Sequence, residues 1–593
     1  MISQSKVFYN QNYKKRLEEK RMILDLTNVP FTRRNSYMVI SYITDQFRLS
    51  GRKIAEDEGL YLRSVRGDCR MNPLISHLVP TYRGKAADYT YYSDGTEIVV
   101  EFKAADAKIE IIFAEENTLL IRGQGEGIGL EFDRLAGAES LYDYVITIPY
   151  KEREFYEANL FRNASKYIFG SRKGKKSFAQ DWQEQTAKAC KIVYEAVDGE
   201  FEATVEEAQV EWKFREYTFS FDEKLAEVKK EFAEFCNTMP EVPDEYEEEK
   251  KLASYIDWCS QVKRGGRLTR DALYPSKNWM IGAFSWDHCF IAQALSYHRP
   301  KEAWDQFMIM FDYQDETGRL PDAVTDAYIT WNFCKPPVHG WTLMKMMEHM
   351  ELSKEQLQEA YERLAKWTHW WYDYRDSNHN GLCEYYHGNE ALHGVVRPGR
   401  FTVFPQAIGL AATWNPVLQQ KVATVISDEA RARWNELDQG RNQKEQFSDV
   451  LTFWSPTVNM ARDPRWGRTP ETYGEDPFLS GVMGTAFVKG LQGEDPRYLK
   501  IVSTPKHFVA NNEEHNRFIC NPQISEKQLR EYYFPAFEMC VKKGKAASIM
   551  TAYNALNDVP CTLNAWLLQK VLRQDWGFRG YVVSDCGGPS LLV

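Results

Sequence analysis

The stretch "RDSNHNGLCEYYHGNEALHGVVRPGRFTVFPQ", Arg375 to Gln406, decides how the chain divides, because the sequence pattern changes within it. Its first half is typical of a polar turn between helices. Its second half leads into an alternating apolar run, Phe401 to Phe404, that predicts a strand of a barrel. We therefore expect one kind of fold before this stretch and another after it.

Two patterns precede it. From about Asn28 to Phe221, short alternating runs such as "TEIVVEFKAADAKIEIIF" are broken by polar turns, which predicts an antiparallel β-sandwich domain over residues 1–225. From about Asp244 to Tyr374 the apolar period becomes helical, and we predict a helical domain over residues 240–388. Apolar positions at three- and four-residue steps carry this period: Leu357, Tyr361, Leu364, Trp367 and Trp371.

Beyond Gly394, short apolar runs such as "LTFWSPTVN", "KIVSTPKHF", "AASIMTAYN" and "GYVVSD" alternate with amphipathic helical segments. This alternation predicts parallel βα units, as in a (β/α)8 barrel or a wound sheet, over residues 389–593. Polar residues follow the predicted strand ends, which is where such a barrel carries its chemistry.

Length and charge bound the class of protein. A chain of 593 residues is too long for one ordinary core, so a multi-domain protein is expected. The net charge of -10 and the absence of a basic cluster argue against a nucleic-acid partner. The start of the chain lacks an apolar signal region, no segment reaches a membrane-spanning length, and the odd count of 11 cysteines favours reduced thiols. We expect a cytoplasmic protein with no membrane partner.

The predicted strand ends supply candidate site residues. Lys506 and His507 follow "IVSTP", Tyr553 follows "SIMTA", and Asp585 follows "YVV". An aspartate at the tip of a buried strand, followed by "CGG", is a candidate nucleophile or base. It is equally a candidate cap for the next helix.

The segments "FPQAIGLAATWNP", "FWSPTVNMARDPRWGRTPETYGEDPFLSG", "TPKHFVANNEEHNR" and "GYVVSDCGG" resemble glycoside hydrolase family 3, in its β-glucosidase and β-xylosidase branch. The resemblance implies that Asp585 is the catalytic nucleophile and that Tyr553 lies near it. It implies that the sugar hydroxyls are bound by Arg468, Lys506 and His507, and that Glu390 of "NEALHG" contacts substrate. Retaining glycosidases also need an acid/base carboxylate. The family takes it from a domain beyond the barrel, whereas this chain ends at Val593, so that residue is expected to be missing.

The helical part has a second resemblance. The segments "NWMIGAFSWDHCFIAQAL", "GRLPDAV", "WNFCKPPVHGWTLMKM" and "DSNHNGLCEYYHGN" resemble the six-hairpin (α/α)6 toroid glycosidases related to glycoside hydrolase family 63 and mannosylglycerate hydrolase. The resemblance implies that Asp287 contacts a sugar and that Trp331 and His339 line the pocket. The segments that supply the catalytic acid and base of this group are not found. We expect sugar stacking for Trp286 and Trp331, and core packing for three other tryptophans, namely Trp367, Trp370 and Trp371.

"DSNHNGLCE" alternates oxygen-bearing side chains with a glycine, much as calcium loops do. A structural calcium ion and a solvated polar turn are equally consistent with this spacing. The candidate calcium ligands are Asp376, Asn378, Asn380 and Glu384.

Two incomplete resemblances thus meet near Gly388 to Glu390, which predicts a fused and truncated chain. It would contain a partial toroid and a partial barrel with about five of the eight strands that a full one needs. The predicted function is that of a retaining β-glucosidase or β-xylosidase acting on an oligosaccharide or glycoside, with no cofactor required for the chemistry. The alternatives are an incomplete fusion that only binds saccharide, and an α-glycosidase of the toroid type. The sequence does not indicate an oligomeric state.

Overall fold

The computed structural model describes residues 22–45, 47–49, 52–67, 74–133, 142–183, 186–376, 379, 383–385, 401–402, 404–438, 451–514 and 516–586. The chain divides into two compact units, Met1–His369 and Trp370–Val593. The protein is therefore multi-domain, as predicted, and the three predicted domain ranges stay predictions. No helix among the described residues combines the length and the apolar character that crossing a membrane requires.

The first unit begins with two antiparallel sheets. In spatial order, the first sheet contains Met38–Ile43, Gly59–Ser64, Leu74–Tyr82, Ile128–Asp133, Thr186–Glu195 and Lys175–Gln183, with Lys85–Ala86 paired to Leu74–Tyr82. The second contains Tyr144–Tyr150, Arg153–Leu160, Ser165–Lys173, Glu200–Ala208, Thr118–Gln124, Lys108–Glu115, Ile98–Phe102 and Tyr89–Ser93. A separate small hairpin pairs Arg48–Leu49 with Arg52–Lys53.

The two sheets share one hydrophobic core, which makes them a β-sandwich. Phe132 of the first sheet lies edge-on to Phe169 of the second, with ring centroids 5.1 Å apart. The alternating pattern explains this arrangement, because successive side chains of a strand point to opposite faces.

Helices follow the sandwich. Ser220 begins the first with a capping box, in which its side chain accepts from the Glu223 backbone and Glu223 bonds back to Ser220. The helices are α1 Phe221–Cys236, α2 Glu247–Ser260, α3 Asp287–Ser296, α4 Pro300–Met308, α5 His339–Met346 and α6 Lys354–Arg375. Short strands lie between them: Gln261–Val262 pairs with Ala272–Leu273, and Ala323–Val324 pairs with both Ala283–Phe284 and Ile329–Thr330.

The second unit has its own hydrophobic core. Its α-helices are α7 Ala407–Ala411, α8 Pro416–Asp438, α9 Pro477–Gln492, α10 Glu526–Gln528 and α11 Pro535–Lys542, and its π-helices are Leu529–Tyr533 and Trp566–Asp575. Short 3-10 helices are Phe161–Asn163, Asp244–Tyr246 and Phe311–Tyr313 in the first unit and Thr469–Glu471 in the second. Helices α8 and α9 approach closely at Gly490, where a Cβ atom would lie 2.4 Å from the Gln420 carbonyl oxygen.

Four successive segments of the second unit run parallel. Thr452–Phe453 pairs with Val502–Ser503, and Ser548–Thr551 pairs with Tyr581–Ser584. A single parallel bridge from Thr457 to Lys506 extends the first pair, and a second bridge, from Phe508 to Thr551, connects the first pair to the second. Ala555–Leu556 and Val559–Pro560 form an antiparallel hairpin.

The strand predicted at Phe401 to Phe404 differs from expectation. Only Phe401–Thr402 is described as a strand, and it pairs antiparallel with Glu384–Tyr385. The expected parallel pairing of this strand is therefore corrected to antiparallel pairing. An alternating apolar run fits either type of ladder, since the side-chain period of two is the same in both.

Candidate active site

The carboxyl ends of two neighbouring parallel strands position the candidate nucleophile. Asp585 follows Tyr581–Ser584, and Tyr553 lies just beyond Ser548–Thr551. The Asp585 backbone N–H donates to the Thr551 carbonyl at 3.3 Å. The Tyr553 hydroxyl donates to the Cys586 carbonyl at 2.7 Å, so the two strand ends are connected.

His507 faces the Asp585 carboxylate. Its Nε2 lies 3.5 Å from Asp585 Oδ2, and the His507 side chain is 1% exposed, against 12% for Asp585. Burial, and then the positive charges of Lys506, Arg468 and Arg517, lower the pKa of His507 well below its usual range. The imidazole is therefore neutral at physiological pH.

Three more predicted residues, Arg468, Lys506 and Tyr553, lie close enough to Asp585 to interact with its charge. Arg468 donates to both Glu471 carboxylate oxygens, at 2.9 and 2.8 Å. Burial lowers the pKa of Arg468, but the hydrogen bonds and charge of Glu471 outweigh burial and raise it. Burial, and then the charge of Arg468, lowers the pKa of Lys506. Burial, and then the charge of Asp585, raises the pKa of Tyr553 to about 12, so its hydroxyl keeps its proton.

The structure thus brings together Arg468, Lys506, His507, Tyr553 and Asp585, which we call the strand-end cluster. Glu390, the sixth residue implied by the same resemblance, lies outside the described residues.

Sequence reasoning missed three residues of this neighbourhood. Asn459 makes three contacts with His507, and Glu471 is the partner of Arg468. Arg517 pairs with Glu514 at 2.6 Å and lies over the Tyr553 ring at 5.1 Å. The three-residue spacing of Arg468 and Glu471 could have indicated their pairing. No local pattern connects Asn459 with His507, which is 48 residues away.

A second group of charges lies in the first unit and is called the helix-start cluster: Asp287, Asp322 and Lys335. Asp287 is the first residue of α3, and Lys335 Nζ lies 3.6 Å from Asp322 Oδ1. Burial is the main cause that raises the pKa of Asp287 to about 6, and the charge of Asp322 acts in the same direction. Sequence reasoning identified Asp287 but not Asp322.

The aromatic residues predicted near Asp287 differ in their surroundings. Trp331 is half-buried, and its backbone carbonyl accepts a hydrogen bond from Arg319. His339 is only 1% exposed and packs edge-on to Phe311 and Trp367. Burial lowers the pKa of His339 to about 3. The His339 ring is therefore packed among aromatic side chains, and its implied role in lining a sugar pocket stays a prediction.

The other tryptophan expectations concern packing. Trp367, Trp370 and Trp371 are 2%, 4% and 4% exposed, which confirms their predicted core positions. Trp286 is half-buried and contacts the exposed Phe290 edge-on at 5.6 Å.

The calcium ligands are only partly described. Asp376 is buried, and Glu384 begins a short strand. Asn378 and Asn380 lie outside the described residues. Within the described part of the chain, no group of three or more His, Cys, Asp or Glu side chains forms a metal site. The calcium site stays a prediction.

Comparison with known proteins matches two glycosidase families. Residues 383–589 match the Glycosyl hydrolase family 3 N terminal domain, and residues 280–392 match the Mannosylglycerate hydrolase MGH1-like glycoside hydrolase domain. The two matches overlap over residues 383–392, which include the predicted junction at Gly388 to Glu390.

Two curated relatives are β-xylosidases. A xylan 1,4-beta-xylosidase of Xylanibacter ruminicola is 45% identical over 213 residues, covering 35% of this chain and 25% of the relative. Beta-D-xylosidase 3 of Arabidopsis thaliana is 41% identical over 229 residues, covering 36% of this chain and 28% of the relative. The chain thus spans about a quarter of the length of the curated relatives it matches.

Solved structures give similar partial matches. The GH3 exo-beta-xylosidase XlnD, in complex with a xylobiose aziridine probe, is 36% identical with a TM-score of 0.31, covering 34% of this chain and 27% of its own. Beta-glucosidase 3B from Thermotoga neapolitana, in complex with alpha-D-glucose, is 41% identical with a TM-score of 0.27, covering 32% and 24%. The chain therefore resembles two glycoside hydrolase families in succession, a mannosylglycerate-hydrolase-like domain and then the N-terminal domain of glycoside hydrolase family 3.

Proposed function

We propose that the protein is a retaining β-glycosidase of the β-xylosidase or β-glucosidase type, with Asp585 as the nucleophile. The observation that carries the proposal is the strand-end cluster, in which the Asp585 carboxylate lies 3.5 Å from a buried neutral histidine. Arg468 and Lys506 are the hydroxyl-binding cations of this proposal. The match of residues 383–589 to a glycoside hydrolase domain supports the same chemistry.

The proposed reaction has two steps. An Asp585 oxygen forms a bond to the anomeric carbon while the bond to the leaving oxygen breaks, and that oxygen departs with the bonding electrons. Water then forms a bond to the anomeric carbon, the ester bond to Asp585 breaks to restore the carboxylate, and one water proton passes to the solvent. Lys506 and Arg468 would hold the sugar hydroxyls so that the anomeric carbon faces Asp585.

The acid/base carboxylate of this reaction is unassigned. Glu471 is bonded to Arg468, and Glu514 is bonded to Arg517. We therefore expect the first step with activated aryl glycosides, whose leaving group needs no proton, and slow or absent turnover of natural glycosides.

The proposal includes the finer architecture. We take the four parallel segments of the second unit as part of a (β/α)8 barrel, because their order in space follows their order in sequence and their carboxyl ends carry the cluster. The helices before residue 388 would be part of an (α/α)6 toroid, supported by the match over residues 280–392. A cytoplasmic location is also proposed, because an odd cysteine count favours reduced thiols.

Covalent labelling tests the proposal. The protein is incubated with 2,4-dinitrophenyl 2-deoxy-2-fluoro-β-xyloside and, separately, with the glucoside. The fluorine slows the second step, so the glycosyl ester should accumulate to one group per chain. Intact mass spectrometry and peptide mapping should locate it on Asp585.

Two variants control this experiment. Asp585→Asn should abolish the label. Asp575→Asn, which alters an acidic residue at the end of a π-helix, should label like the wild type. No label in folded protein, or a label on another carboxylate, would show that the proposed nucleophile is wrong.

A second candidate is a protein that binds saccharide without turnover, and the engagement of Glu471 and Glu514 by arginines favours it. Calorimetric titration with xylobiose distinguishes the two. Binding in the absence of any Asp585 label would support this candidate, and labelling of Asp585 would exclude it.

A further inference from the structure

Asn459 holds His507 at three points. Its Oδ1 accepts from the His507 backbone N–H at 2.7 Å, and its Nδ2 donates to the His507 carbonyl at 2.9 Å. The same Oδ1 lies 3.0 Å from His507 Nδ1. Asn459 is 3% exposed and His507 is 1% exposed, so water does not compete strongly for these bonds.

The two backbone bonds fix the orientation of the Asn459 amide. Its oxygen must accept from the backbone N–H, and its nitrogen must donate to the carbonyl. An amide oxygen cannot donate, so the Nδ1 atom beside it must carry a hydrogen. A neutral imidazole has only one N–H, and the Nε2 atom of His507 is therefore the unprotonated acceptor.

This tautomer places two acceptors face to face. The bare Nε2 lies 3.5 Å from Asp585 Oδ2. Taking up a proton would relieve the contact, but burial and the nearby cations Lys506, Arg468 and Arg517 keep the ring neutral. A ligand hydroxyl can satisfy the arrangement by donating its hydrogen to Nε2 while it lies beside Asp585.

We infer that Asn459 is a positioning residue, which fixes His507 as a hydrogen-bond acceptor for one sugar hydroxyl next to the nucleophile. The choice of a sugar as the ligand rests on the proposed function, whereas the tautomer of His507 does not. It also predicts specificity: a sugar lacking this hydroxyl, or carrying a methoxy group there, cannot donate to Nε2 and should react poorly.

Nitrogen NMR of the ligand-free full-length protein tests the tautomer directly. The histidine rings are labelled with 15N, and the His507 signal among the 11 histidines is assigned by its loss in His507→Gln. At neutral pH the wild type should show a protonated Nδ1 and an unprotonated Nε2. In Asn459→Ala the proton should move to Nε2, because the ring nitrogen that faces the Asp585 carboxylate then has the acceptor.

Asn512→Ala is the matched control. Asn512 is also a buried amide, and its Nδ2 donates to the carbonyl of Met460, the residue next to Asn459. Its loss should leave the His507 tautomer unchanged. Labelling of Asp585 by the fluoro-glycoside should slow roughly ten- to hundredfold in Asn459→Ala, as when an outer partner that orients an imidazole is removed, but should be unaffected in Asn512→Ala.

Asn459→Asp keeps the inference testable if the alanine variant does not fold. The carboxylate preserves the shape and favours the doubly protonated ring, so the pKa of His507 should rise relative to the wild type. A wild-type ring protonated at Nε2, or a tautomer and pKa unchanged in both Asn459 variants, would overturn the inference. If His507 shows the expected tautomer but Asp585 is not labelled, the proposed function is overturned and the inference about Asn459 is not.

Discussion

The strand-end cluster and the helix-start cluster both contain aspartate and lysine but have opposite charge balances. Around Asp585, the cations Arg468, Lys506 and Arg517 lower the pKa of His507. Around Asp287, burial raises the pKa of the carboxyl to about 6, since the lowering by the single Lys335 charge is partly offset by a second carboxylate, Asp322. An excess of cations suits a site that binds hydroxyls around a carboxylate. A buried, partly protonated acid suits hydrogen-bond donation.

The largest expected difference between the clusters concerns Asp585 labelling. Lys506→Ala removes a charged hydrogen-bond donor beside the nucleophile, worth about 1.5–3 kcal/mol, so labelling should slow by about ten- to hundredfold. Lys335→Ala removes the same charge from the helix-start cluster and should leave the rate unchanged. The labelling rate is measured by mass spectrometry at limiting reagent. Equal slowing in both variants would show that the loss is not specific to the strand-end cluster.

A smaller effect is expected for the pH dependence of stability. The pKa of Asp287 is raised from 3.8 to about 6, so folding favours its protonated form. This contribution to stability is present below about pH 4 and is lost as the pH rises through about 6. Asp287→Asn cannot ionise and should therefore be more stable than the wild type at pH 7, by on the order of 1 kcal/mol.

Thermal unfolding at pH 4 and pH 7 measures this difference, which should shrink at the lower pH. Asp106→Asn, at an exposed position of the same unit, is the control and should show no such trend. A difference between Asp287→Asn and the wild type that is the same at both pH values would contradict the assigned burial of Asp287.

The smallest expected effect concerns calcium at Asp376, in the stretch between the two clusters. If the loop binds calcium, adding the ion after dialysis against a chelator should raise the melting temperature by a few degrees, as ligand linkage requires. Asp376→Asn should reduce the rise, and magnesium should not replace calcium. An unchanged melting temperature would favour a solvated polar turn.

Much of the fold was predictable because it depends on local patterns. Alternating runs predicted the sandwich sheets, and strand-helix alternation predicted the parallel segments that end at Lys506, Tyr553 and Asp585. The ladder of Phe401–Thr402 was not predictable, because its period of two does not distinguish antiparallel from parallel pairing.

The sequence by itself determined the antiparallel sheets, the parallel segments, the two family resemblances and the residue types available for chemistry, because periodicity and motifs are properties of neighbouring residues. Only the tertiary structure decided which of those residues meet. The contact of Asn459 with His507 and the 3.5 Å approach of His507 to Asp585 join residues far apart in the chain. Their protonation depends on burial and on charges brought near by folding, which no local pattern encodes.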